Sequence, residues 1–251
     1  MDRKNHAPFE SRFGFPLVEA WAMTETGAGA CIMANREPRL VGTSCFGRQQ
    51  DYVEIRLADD EGQDVPADAP GELLVRSAGD DPRRYFFSGY LKDEDATREA
   101  WAGGWFHTGD LVRRDAEGNF FFVDRKKNVI RRSGENISAV EVESVLNQHP
   151  AVKTSAVAAT PDAVRGDEVL ACIVVREDMD ASQRAQIAQS IVEHALAQLA
   201  YYKAPGYVAF VDALPLTASQ KIQRGQLREL AHGLPGQAHC IDTRAMKKRQ
   251  A

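Results

Sequence analysis

Cysteine is scarce in this chain. Cys31, Cys45, Cys172 and Cys240 stand far apart with no CxxC pair, so neither a zinc cage nor a disulfide framework is written here. Reduced thiols and a cytoplasmic location are expected. Long apolar runs are also missing: none approaches the length of a membrane span, and the opening MDRKNHAPFESRFG is charged and lacks the apolar core of a signal peptide. Positive charge is not in excess. The net is −5 with both signs mixed, and basic residues do not interleave with aromatics, so no nucleic-acid partner is expected. No internal repeat is present. What remains is a globular composition of 251 residues, 43% hydrophobic, enough for one large domain or two ordinary ones.

Before residue 127 the pattern is β-rich. DYVEIRLA (51–58) and GELLVRS (71–77) predict strands, and DLVRRDAEGNFFFVDR (110–125) predicts two strands joined by an Asp/Gly/Asn turn. KDEDATREAWAGG (92–104) has helical spacing with a glycine stop. After residue 127 the order becomes helix, strand, strand, helix, strand, helix. Ser138 opens a helix, with Glu141 three residues on as a capping box. TSAVAAT (154–160) and EVLACIVVR (168–176) follow as strands, ASQRAQIAQSIVEHALAQLA (181–200) as an amphipathic helix and GYVAFVDALP (206–215) as another strand. The whole predicts two α/β-type pieces, the second a compact α+β unit, with a boundary near RKKN. The basic tail TRAMKKRQA is expected to be disordered.

Four stretches could carry chemistry. WAMTETGAG (21–29) sets a hydroxyl beside a carboxylate in a small-residue turn: Thr24 can donate to a phosphate oxygen and Glu25 can serve as a hard anionic ligand for Mg2+. The same residues equally suit a helix N-cap with an acidic first turn. In GGWFHTGDLV (103–112), Asp110 at the head of a strand can accept from two vicinal hydroxyls, as a ribose offers, or merely start the strand with an Asx-type turn. His107 beside Trp105 and Phe106 suits a packed role and is given no catalytic one. VDRKKNVIRRSGENISAVEVE (123–143) crowds Arg125, Lys126, Lys127, Arg131 and Arg132 before a Ser-Gly turn, which suits a phosphorylated ligand or a solvated basic linker. LPLTASQKIQR (214–224) isolates Lys221 in a polar turn.

Taken in order, WAMTET, GELLVRS…FFSGY, GGWFHTGD, VDRKKNVIRRSGENISAVEVE and LPLTASQKIQR resemble the successive signatures of the adenylate-forming, AMP-binding acyl-CoA synthetase superfamily. The resemblance runs from about Phe15 to Leu230, and its wording is similar to acyl-CoA ligases of crotonobetaine or carnitine type. It implies the β-rich end of a large N-terminal domain over residues 1–126, a small mobile α+β C-terminal domain over 127–235 and a tail over 236–251. The implied reaction has two steps. ATP and a carboxylate give an acyl-adenylate and pyrophosphate, and coenzyme A then displaces AMP. By position, Trp21 matches the aromatic that packs on adenine, Thr24 the phosphate-contacting threonine and Glu25 the magnesium ligand. Asp110 matches the ribose-binding aspartate and Arg125 the arginine near ribose or phosphate. Lys127 matches the hinge, Gly134 the glycine that lets the pantetheine arm pass and Lys221 the lysine that reaches the carboxylate and α-phosphate.

The family's Gly/Ser/Thr-rich phosphate loop, with its lysine, belongs upstream of the glutamate motif, and nothing like it precedes Trp21. The stretch is therefore expected to be the C-terminal half of a synthetase. Trp21-Ala22 stands for the usual Tyr-Gly, Asp124 for a glycine before the arginine, and Gln220 for the glycine before the lysine. If the site of Gln220 needs a positive φ, its loop is strained. Two rivals remain open: an adenylating relative with a different acyl acceptor, and a truncated, non-catalytic module. Expected partners are a small carboxylate, coenzyme A, and either a second copy or the missing N-terminal half.

Overall fold

The structure, a computed structural model, describes residues 6–27, 33–176 and 180–247; Cys31 lies outside them, as do the last residues of WAMTETGAG and of the tail. The chain divides into two units, Met1–Lys126 and Lys127–Ala251. The boundary falls inside a single tight turn, Lys126–Asn128.

The first unit begins with α1 (His6–Phe13) and an antiparallel pair, β1 (Ala20–Trp21) and β2 (Met33–Ala34). A five-stranded antiparallel sheet follows. It comprises β3 (Cys45–Arg48), β4 (Val53–Ala58), β5 (Gly71–Ser77), β6 (Phe106–Arg114) and β7 (Asn119–Arg125), in the order β3-β7-β6-β5-β4. Alternation in VEIRLA puts Val53, Ile55 and Leu57 inside, while β5 buries every residue but Arg76. Leu73, Val75, Phe106, Val112 and Phe120 form the centre of the core. Helix α2 (Glu94–Ala100) starts where Asp93 accepts from Ala96 N at 2.9 Å and stops in a turn where Gly103 takes φ +64°.

The second unit opens with a hairpin, β8 (Ile130–Arg132) and β9 (Glu135–Ile137), then α3 (Ala139–Leu146). Ser138 caps α3 by accepting from Glu141 N at 3.1 Å. Lys203 Nζ donates to both oxygens of the Glu141 carboxylate at 2.8 Å. Long strands β10 (Val152–Asp162) and β11 (Gly166–Val175) pair antiparallel, and after α4 (Arg184–Leu196), β12 (Tyr207–Phe210) joins β11 in parallel. A parallel neighbour needs such a crossover. Ala188, Ile191, Val192 and Ala195 make the buried stripe of α4. Fully burying Ile191 alone contributes roughly 1.5 to 3 kcal/mol. Helix α5 (Arg224–Gly233) buries Leu227 and Ala231 against Ala156, Ala158 and Leu170.

The tail corrects the expectation of disorder over its described part. β13 (Cys240–Asp242) extends the sheet antiparallel to β12, Thr243 N donates to Gly206 O at 2.9 Å, and the Lys247 side chain is 1% exposed. Among the described residues, no helix is long and apolar enough to cross a membrane.

Candidate functional site

Asp110 lies within β6 rather than at its head, and a bulge sets its direction. Between the pairs Leu74↔His107 and Glu72↔Leu111, β5 advances two residues while β6 advances four, with Gly109 at φ +68° taking up the kink. The Thr108 hydroxyl fastens the bulge, donating to Leu73 O at 2.7 Å and accepting from Asp110 N at 3.1 Å. The Asp110 residue is 2% exposed. Trp21 Nε1 donates to its Oδ2 at 2.8 Å, and Arg125, directly across on β7, brings Nε to 2.7 Å from Oδ1. That N–H is not aimed at the oxygen, so Oδ1 is a buried acceptor without a hydrogen-bond donor. Burial pushes the Asp110 carboxyl up from its ordinary value, against the pull of the Trp21 N–H and the Arg125 charge.

This geometry changes what two residues offer. Trp21 is 6% exposed and packs near Phe46, ring centroids 6.4 Å apart, so its ring presents little face to a purine and its N–H serves Asp110. Asp110 in turn has one oxygen engaged, not two free ones.

Thr24 and Glu25 ride on a tight turn, not on a helix N-terminus. Thr26 builds it: its hydroxyl accepts from Met23 N at 3.1 Å and donates to Met23 O at 3.0 Å, which leaves Thr24 exposed. Glu25 Oε1 accepts from the Tyr90 hydroxyl at 3.1 Å, and Glu25 O accepts from Phe87 N at 2.9 Å. Gly27, at φ +98°, lies so close to the same loop that a Cβ there would stand 2.4 Å from Tyr85 O.

The five crowded cations separate. Arg125 pairs with Asp110, and Lys126 Nζ lies 2.9 Å from Glu72 Oε2 and 3.0 Å from Asp60. Arg132 is buried on Glu168 and so is no phosphate ligand. Lys127 and Arg131 are exposed; the Lys127 carbonyl accepts from Arg228 Nη2. Gly134 stands at the tip of the β8–β9 hairpin, where Ser133 (φ +52°) and Gly134 (φ +84°) form a two-residue turn. Such turns need positive φ at both positions, and a Cβ on Gly134 would meet nothing within 4 Å. Glycine is required there by conformation, and the space over it is open.

Lys221 is exposed in a loop closed on itself. Thr217 N donates to Lys221 O at 2.7 Å, Lys221 N to Thr217 Oγ1 at 3.1 Å, and Gln223 N to Pro215 O at 2.8 Å. Arg224 anchors the loop's end through a two-pronged pair with Glu143, at 2.6 and 2.8 Å. Gln220 takes φ +63°, so the condition for strain is met. Gln220→Gly is expected to stabilise the second unit by about 1 kcal/mol or less, since a left-handed non-glycine costs about 1 to 2 kcal/mol and glycine's added chain entropy returns part of it. Gln220→Val should destabilise it. Urea denaturation midpoints of the two variants check this, and equal midpoints would remove the strain.

Residues 2–91 match the AMP-binding enzyme family and residues 141–221 match the AMP-binding enzyme C-terminal domain, more than half of the chain together. The chain belongs to the AMP-binding enzyme family. Acyl-coenzyme A synthetase ACSM5, mitochondrial, of Homo sapiens is 36% identical over 220 residues, taking in 88% of this chain and 37% of the relative. Crotonobetaine/carnitine–CoA ligase of Shigella flexneri is 33% identical over 221 residues, 88% and 41% of the two chains. The crystal structure of the anthranilate CoA ligase AuaEII in complex with anthranoyl-AMP is similar with a TM-score of 0.77 at 31% identity, over 92% of this chain and 43% of that one. This AMP-binding family member thus spans less than half the length of these relatives.

Several residues that shape the sites of this AMP-binding family member escaped sequence reasoning. Glu72, buried on β5, accepts from Gly109 N at 3.3 Å and holds Lys126; its signal is a glutamate inside an otherwise apolar strand. Asp124 is fully buried and accepts from Arg125 N at 2.7 Å, which gives the non-glycine residue at that position a local role. Thr26, Tyr90 and Arg224 had no signal beyond lying next to residues already singled out.

Proposed function

We propose that this chain supplies the ribose-binding and acyl-transfer elements of an ATP-dependent, AMP-forming acyl-CoA ligase. One observation carries the proposal: Asp110 Oδ1 is a buried, donorless acceptor on a side chain held by Trp21 and Arg125. That oxygen is ion-paired with Arg125 but receives no hydrogen bond, and a sugar hydroxyl is a donor that fits it. Family membership and relatives named as CoA ligases support the same reaction.

In the proposed first step a carboxylate oxygen of a small acid attacks the α-phosphorus of ATP, and the bond to pyrophosphate breaks. Negative charge gathers on the phosphate oxygens. Lys221, a point charge on a flexible stem, stabilises that charge without a proton transfer, and Thr24 donates its hydroxyl to phosphate. Glu25 suits Mg2+, because it offers a partly exposed carboxylate on a turn, and magnesium is commonly held by one or two carboxylates with substrate phosphates and water. Among the described residues no group of three or more His, Cys, Asp or Glu could cage a metal, so the ion would depend on the nucleotide for its other ligands; bound there, it would neutralise phosphate charge. In the second step the coenzyme A sulfur attacks the acyl carbon and AMP leaves with the bonding electrons. The open space over Gly134 gives the pantetheine arm a path, and Lys127 is the hinge between the two half-reactions.

Asp110→Ala is expected to weaken AMP and ATP binding by about tenfold or more, the loss of one hydrogen bond to a charged acceptor at roughly 1.5 to 3 kcal/mol. Calorimetric titration of folded variant and parent measures it. Unchanged affinity with the fold intact would reject the ribose assignment.

A further inference from the structure

Arg132 is the one member of the RKKN-to-SGEN cation cluster that turns inward. Its residue is 3% exposed, and Nε donates to both oxygens of Glu168 at 2.9 Å. Glu168 is fully buried at the start of β11 and also accepts from Val169 N at 2.9 Å and from Lys247 Nζ at 2.5 Å. Gly206 closes the node: a Cβ there would stand 2.5 Å from Glu168 Cδ, so the carboxylate has no room to swing toward that strand. Two cations therefore share one immobile carboxylate, one from the hairpin and one from the chain's far end.

Arg132 is also the residue immediately before the Ser133–Gly134 tip. The base of the hairpin is fixed in the core by Ile130 and Ile137, both fully buried; nearer the tip, Gly166 pairs with Arg132, Ser133 N donates to Arg165 O at 2.9 Å, and Arg131 N donates to Asp167 Oδ2 at 3.2 Å. The partners nearer the tip all sit in the β10–β11 turn or the first residues of β11. The isoleucines hold the base, but a three-residue strand joined to β11 at a single register pair has little backbone to resist tilting beyond them, so the side-chain clamp at Arg132 directs the tip.

We propose that Arg132 is a positioning residue for the thioester-forming step, its clamp on Glu168 fixing the direction of the Gly134 tip. This rests on the role proposed for Gly134 in passing the pantetheine arm. The second cation acts elsewhere, since Lys247 keeps Glu168 paired and ties down β13. Burial draws the Lys247 ammonium down to about 8 despite the pull of Glu168. Removing either cation leaves a one-to-one pair with Glu168, so neither variant strands an unpaired buried charge. Only the loss of Arg132 frees the tip.

The test compares Arg132→Met, Arg132→Lys and Lys247→Met. In backbone hydrogen exchange of the chain, Arg132→Met should speed exchange at Ser133 and its hairpin neighbours about tenfold or more, the effect of losing a charge-assisted hydrogen bond. Amides of α3 and α4 should keep their protection, Arg132→Lys should restore most of the tip's, and Lys247→Met should leave the tip unchanged. Equal loosening by both methionine variants, or a uniform rise across the unit, overturns the proposal, because the node would then be merely structural. With pre-made acyl-adenylate and coenzyme A, in a protein carrying these residues together with a phosphate-binding loop, Arg132→Met should slow thioester formation roughly 10- to 100-fold, a misplacement effect, while adenylate formation is unchanged. A free tip with an unaltered thioester step overturns it as well. If the parent forms no thioester, or if Gly134→Val leaves the parent's thioester step unchanged, the failure lies in the proposed function, and the positioning role falls with it.

Discussion

Lys221→Ala is expected to slow acyl-adenylate formation roughly 10²- to 10³-fold, the cost of removing one preorganised charge partner from a phosphoryl transition state. The structure gives that lysine an exposed side chain on a self-closed loop, with Arg224 bound to Glu143 immediately after it. The loop should therefore fold the same way in the variant, and the loss should be chemical. Thioester formation from pre-made adenylate should survive, because the step that Lys221 is proposed to assist, attack at the α-phosphorus with loss of pyrophosphate, is already complete in that substrate. Carboxylate-dependent exchange of pyrophosphate into ATP measures the first half, and thioester appearance the second. Equal impairment of both halves would make Lys221 structural, and strained Gln220 the first place to look.

Glu168→Gln should be the most destabilising single polar substitution in the second unit. It removes the one carboxylate against which Arg132 and Lys247 are buried, with side chains 4% and 1% exposed. Breaking a buried pair by deleting one partner typically costs about 3 to 5 kcal/mol, because the remaining charge has lost its solvation and gained nothing in return. Urea denaturation of the chain, followed by probes in each unit, should show the transition of the second unit moving to lower urea while that of the first stays in place. An unmoved midpoint would mean that the node contributes no net pairing.

Much of this fold can be read from periodicity, and the exceptions have a common cause. VEIRLA, GELLVRS and the α3 cap at Ser138 are local patterns, visible within six to twelve residues, and they form where alternation or capping places them. The pairs β1–β2 and β8–β9 and the edge strand β13 contain two or three residues each, too few to show a period. The tail read as a solvated basic run because Lys247 is buried only by virtue of Glu168, 79 positions earlier. Trp21 and Asp110 are 89 positions apart; each stood out alone, and nothing in the sequence links the indole N–H to that carboxylate. Arg132 read as one of five equivalent cations, and its different fate follows from alternation on a strand too short to recognise. Gln220 went the other way: a non-glycine residue at a place where family resemblance supplies glycine pointed to a positive φ, and the backbone there is at +63°.

The central claim is that a carboxylate is activated by bonding to the α-phosphorus of ATP, and isotope transfer tests it most directly. A protein carrying these residues together with a phosphate-binding loop is given ATP, coenzyme A and a small carboxylate labelled with 18O in both oxygens, and the products are weighed by mass spectrometry. If the acyl-adenylate forms, the attacking oxygen stays on phosphorus when sulfur displaces the acyl group, so AMP should carry one 18O and pyrophosphate none. Label in inorganic phosphate with ADP as the nucleotide product, or acyl-CoA formed with no label in AMP, would contradict it.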